Sequence, residues 1–144
     1  FVGRKNAWFA EGFATYMQGQ VLIEMGEFTQ KQVKDKYLKK LDNCRDFYQS
    51  DSPFVLVADS LRSHHHYPAM YWGGVTFFEN INAHLTEKRG MTLNQLLKQY
   101  QLCCRLSDDT INELIYSFDK IAGDDYAKNL LDDYQQAPAR EVIK

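Results

Sequence analysis

Apolar residues crowd one stretch of this chain more densely than any other. From Asn6 to Met25 they include Trp8, Phe9, Phe13, Tyr16, Met17, Val21 and Leu22. A helix that is apolar nearly all round is usually enclosed by core, so this segment predicts a buried helix, stopped at Gly26. Thr29-Gln30-Lys31-Gln32 then matches a capping box, with Val33, Tyr37, Leu38 and Leu41 at helical spacing, fading near Phe47. Lys34, Lys36, Lys39 and Lys40 form that second helix's solvated face. Residues 48–66 show no helical period. Ser50-Asp51-Ser52-Pro53 is turn chemistry and Phe54 to Val57 a short apolar run, which together predict a long surface loop with room for one short strand.

Periodicity returns at Pro68, a residue suited to a helix's first turn, and continues from Ala69 to Arg89 before Gly90. Thr92-Leu93-Asn94-Gln95 repeats the capping-box pattern and opens a helix reaching about Cys104. Ser107-Asp108-Asp109 is expected to cap another, carrying Ile111, Leu114, Ile115 and Phe118 and ending before Gly123. A last helix from Tyr126 to Gln135 precedes Pro138 and a short tail. No internal repeat or low-complexity tract interrupts this series. The expectation is all-α: a single helical domain spanning 1–144, with about six helices around one core.

Composition narrows the functional classes. The chain has 144 residues, 44% of them hydrophobic, which suits one domain with its own core. Lys and Arg number 17 against 19 Asp and Glu, a net charge of −2. So balanced a chain lacks the electrostatic footprint of a nucleic-acid binder or a polybasic membrane binder. No apolar run approaches the ~20 residues of a membrane span. The chain opens at Phe1 without an initiator Met or a signal-peptide pattern, as expected of a piece of a longer protein. Cys44, Cys103 and Cys104 are odd in number, and two are neighbours in sequence, so reduced thiols and a cytoplasmic setting are expected, with the periplasm as the alternative.

Glu11 is the first candidate for chemistry. It sits in Trp8-Phe9-Ala10-Glu11-Gly12-Phe13-Ala14-Thr15-Tyr16, and a carboxylate buried in such a helix needs a cation, a donor cluster or a metal. Pairing with Arg4 or Lys5, or with the helix dipole, is the plainer explanation. Gly12 beside it costs roughly 1 kcal/mol of helix propensity relative to Ala, a hint of close approach by another element. A second landmark is Tyr67-Pro68-Ala69-Met70-Tyr71-Trp72-Gly73-Gly74-Val75, at the start of the long helix.

The first stretch resembles the W-x-x-E-G-x-x-x-Y segment of the thermolysin-like zinc peptidases, the gluzincins, and the second resembles their Y-x-K-G-A motif. The resemblance is nearest to the bacterial glycyl aminopeptidases, through Phe77 to Leu97 and the Ile121-Ala122-Gly123-Asp124-Asp125 segment. It implies the C-terminal helical lobe of a catalytic domain. It also implies a peptide or protein substrate and Zn²⁺ in the intact parent, with Glu11 as third metal ligand and Tyr71 as oxyanion donor (Tyr67 as fallback). The H-E-x-x-H helix that supplies the other ligands and the general base in those families lies about eighteen residues upstream, and this sequence contains no such motif. The chain alone is therefore expected to hold no zinc tightly and to hydrolyse nothing. Gly73 stands where the family has Lys or Arg, which favours the rival reading of a non-catalytic relative acting as a binding or scaffolding module. A third reading, an unrelated helical interaction domain, makes both motifs coincidental.

His64-His65-His66 is internal and immediately precedes the second motif. Its plain interpretation is a set of loop histidines. Three consecutive side chains cannot reach one ion without unusual backbone, although a pair can. His84, on the long helix, is expected to face solvent or to satisfy a core hydrogen bond. A surface exposed where a missing half would dock favours a fragment dimer.

Overall fold

The computed structural model describes residues 6–103 and 111–144, and these form helices joined by short turns. In chain order they are α1 (Ala7–Glu24), α2 (Gln30–Cys44), a 3₁₀ turn (Arg45–Tyr48), α3 (Phe54–Ser63), α4 (Tyr67–Lys88), α5 (Leu93–Cys103), α6 (Ile111–Ala122), α7 (Tyr126–Gln136) and α8 (Ala139–Val142). The all-α expectation holds, with eight α-helices among the described residues rather than about six. The cap expected at Ser107-Asp108-Asp109 lies outside the described residues, as does Cys104.

Local chemistry accounts for most helix ends. At α2 the Thr29 hydroxyl accepts from Gln32 N–H while the Gln32 side chain accepts from Thr29 N–H. Thr92 and Gln95 repeat this reciprocal pair at α5. Pro68 occupies the first turn of α4. The turn into α7 is made differently. Asp119 is buried on α6, and its two carboxylate oxygens accept from Ala127 N–H and Lys128 N–H, each at 2.9 Å. Asp119 thus caps a helix that begins seven residues after it.

Residues 54–63 correct the expected loop. The run Phe54-Val55-Leu56-Val57 has the β-branched residues of a strand, yet Phe54, Ala58 and Leu61 are spaced four and three apart and all are buried along one face of α3. The helix begins directly after Pro53, which also makes an isolated antiparallel bridge to Pro138. That bridge is the only extended pairing among the described residues.

The core is aromatic and centres on α1, α4 and α7. Trp8 stacks on Tyr134 at 5.7 Å and meets Phe9, Phe54 and Phe77 edge-on. Edge-to-face and offset contacts of this kind add roughly 0.5–1.5 kcal/mol each beyond area burial. The Tyr134 hydroxyl is held by Thr76, which itself donates to the Gly73 carbonyl at 2.6 Å. Desolvation by burial raises the Tyr134 pKa, and the hydrogen bond with Thr76 offsets only part of that rise. Only one side of α1 is enclosed: Trp8, Phe9, Gly12 and Tyr16 are buried, while Val21 is exposed. The all-round apolar pattern therefore overstated its burial, because Ala10 and Ala14 contribute little area wherever they point.

Candidate active site

Helices α1 and α4 approach most closely where two glycines meet. A Cβ placed on Gly12 would lie 2.6 Å from the Gly74 carbonyl carbon and 2.8 Å from its Cα. One placed on Gly74 would strike the Trp8 carbonyl oxygen and lie 3.0 Å from Gly12 Cα. Neither obstacle is a movable side chain, so the backbones can touch only because both residues lack a Cβ. The close approach hinted at by Gly12 is the crossing with α4.

Both candidate residues flank this crossing. Glu11 immediately precedes Gly12, and Tyr71 lies three residues, about one turn, before Gly74 on α4. Glu11 does not have the burial expected of it: its residue is exposed, and its side chain has no partner among the described residues. The spacing explains why. Trp8, Gly12 and Tyr16 occupy the buried face at four-residue intervals, which turns position 11 outward. Tyr71 is half-buried against the core and its ring stacks on Tyr67 at 6.4 Å. Tyr67 is 39% exposed, and its hydroxyl pairs with His65 Nδ1 at 2.9 Å.

Gly73 also has a structural reason. A Cβ there would collide with the ring and hydroxyl of Tyr48, which is fully buried and donates to the Ala69 carbonyl at 2.7 Å. The space that a lysine or arginine stem would need at position 73 belongs to Tyr48. Burial raises the Tyr48 pKa well above its ordinary value, so the phenol stays a neutral donor.

The histidines divide. His84 is half-buried, stacks on Tyr126 at 3.9 Å and pairs through Nε2 with Asp124 at 2.7 Å. Arg89 joins the same carboxylate at 2.9 Å. Burial alone would raise the Asp124 pKa, but the hydrogen bonds from His84, Tyr126 N–H and Arg89 hold it below the usual carboxylate range. This cluster ties the end of α4 to the α6–α7 turn. His64, His65 and His66 are exposed between α3 and α4. Cys44 is a buried free thiol, pushed up to about 11 chiefly by desolvation, so it is a packing residue rather than a nucleophile.

Among the described residues no group of three His, Cys, Asp or Glu side chains is arranged to hold a metal ion. Structural and catalytic zinc centres take three or four protein donors, and of the gluzincin set only Glu11 has a counterpart here. The described residues therefore do not build that site alone. An exposed carboxylate on a helix braced by backbone contact does suit one position of a donor set completed by groups outside them. No helix among the described residues is long and apolar enough to cross a membrane.

Sequence reasoning missed α3, the Asp119 cap and the His65–Tyr67 pair. For α3 the signal was present, in the spacing of Phe54, Ala58 and Leu61. For the other two the partners meet through turns whose shape the sequence does not display. In comparisons with known proteins, no family model, curated protein or solved structure matches the chain.

Proposed function

We propose that the chain is the helical lobe of a zinc-dependent peptidase of the glycyl aminopeptidase type, supplying Glu11 as a metal donor and Tyr71 as the oxyanion donor. One observation carries this reading. The two motifs, sixty residues apart, lie on helices that touch backbone to backbone at Gly12 and Gly74, with Glu11 and Tyr71 each within a turn of the contact.

The residues divide the work by position. Glu11 presents an exposed carboxylate, without a partner among the described residues, on a helix whose depth is fixed by the glycine crossing. Tyr71 holds a phenol on the second turn of α4, braced by Tyr67. An O–H pre-aimed at developing negative charge needs no reorganisation as the charge forms, and such a donor is worth roughly 10²–10³ in turnover. Zinc, when bound in the intact protein, would supply Lewis-acid polarisation of a peptide carbonyl. The substrate class is a peptide or protein.

Gly73 supports a second reading, a non-catalytic relative serving as a binding or scaffolding module. With Tyr48 seated against it, position 73 carries no basic side chain. Peptide-amide hydrolysis by the full-length protein separates the two. The peptidase reading expects Tyr71→Phe to lower kcat about 10²–10³-fold with KM nearly unchanged, and Tyr67→Phe to stay within threefold. Wild-type turnover by Tyr71→Phe would remove the assigned role. A wild-type protein that cleaves no peptide would leave the binding module.

A further inference from the structure

The three consecutive histidines are separated by the backbone. Helix α3 ends in a Schellman motif: His65 N–H donates to the Arg62 carbonyl at 3.1 Å and His66 N–H to the Leu61 carbonyl at 2.8 Å. The motif requires a left-handed residue at its turn, and that residue is His65, with φ of 61°. It is the only non-glycine residue with positive φ among those described; Gly26, Gly90 and Gly123 hold the comparable positions after α1, α4 and α6. The left-handed step sends the His65 ring toward Tyr67, away from the groove that its two neighbours line. His64 and His66 both line a groove of about 410 Å³ between the 3₁₀ turn and α3, along with Phe47, Leu56 and Ser60.

Within that groove His64 is prepared as a ligand. Its Nδ1 lies 2.8 Å from the Ser60 carbonyl oxygen. A carbonyl can only accept, so Nδ1 carries the proton, and in the neutral ring Nε2 keeps its lone pair. A backbone carbonyl that fixes the tautomer in this way is the usual outer-shell partner of a metal-binding histidine. His66 packs its ring against Phe47 at 5.0 Å, which restricts its orientation at the same groove.

We propose that His64 and His66 form a two-histidine site for a borderline divalent ion such as Zn²⁺, with water completing the tetrahedron. Two imidazoles suit Zn²⁺ by ligand type, and the missing protein donors make the site weaker than a structural zinc centre. The site is separate from the Glu11 reading and stands or falls without it.

Titration calorimetry with ZnCl₂ at neutral pH tests it, using the full-length protein carrying Glu11→Gln so that binding through Glu11 is removed. The expected result is one Zn²⁺ bound, with His64→Ala and His66→Ala each weakening affinity at least tenfold and His65→Gly leaving it within twofold. Selective shifts of the His64 and His66 ring nitrogens in NMR on adding zinc would support the same pair. Equal losses in all three variants would mean that the histidine run binds nonspecifically. That result, or no zinc uptake at all, would overturn the proposal.

Discussion

At the α1–α4 crossing, shape decides everything: glycine backbones touch and buried rings fill the space beside them. At the α3–α4 turn, where His65 lies nine residues before Gly74, the residues are exposed and the backbone takes a conformation that its side chain resists. The crossing has the order of a core that tolerates no added atom. The turn holds a histidine where glycine would sit more comfortably, and a residue retained against local preference is where chemistry is worth seeking. The two regions share α4, so the rigid one fixes the position of the exposed one.

Substitutions can break this contrast from either side. Gly12→Ala should have the largest effect. Alanine improves helix propensity by about 1 kcal/mol. Its Cβ, however, would sit 2.6 to 2.9 Å from Gly74 backbone atoms, forcing the helices apart. Overpacking of this kind costs typically 1–3 kcal/mol, so a net loss of about 2 kcal/mol is expected in urea unfolding. Stability unchanged or raised would mean that the crossing is looser than described. His65→Gly should act in the opposite direction and less strongly. It relieves a left-handed non-glycine residue and gives up an exposed hydrogen bond to Tyr67, for a net gain of about 1 kcal/mol. A loss of stability would show that the His65–Tyr67 pair outweighs the strain.

The helices that the sequence announced were those with strong punctuation. Both capping boxes, Thr29–Gln32 and Thr92–Gln95, form as their spacing implies. Pro68 and Gly90 bound α4 as expected. Helix α3 was hidden because β-branched Val55 and Val57 lie in its first turn and its core stripe becomes visible only when Ala58 and Leu61 are counted. For the candidate site, the burial was not legible in the sequence. Glu11 lies among apolar residues in sequence but on the outward side of α1, a distinction set by which neighbours α4 covers. The pairing of Gly12 with Gly74 links residues sixty-two apart, and neither motif alone predicts it. Gly73 read as a departure from a motif; the structure adds that Tyr48, supplied by a 3₁₀ turn whose role in packing no periodicity reveals, occupies the space beside it.

The central claim is that Glu11 donates to zinc in the intact protein, and zinc stoichiometry tests it most directly. Purified full-length protein and its Glu11→Gln variant, both treated with a weak chelator to strip loosely held ions, would be assayed for metal content. The account predicts about one tightly held zinc per chain in the wild type and its loss in the variant. Equal zinc in both, or none in the wild type, would contradict it.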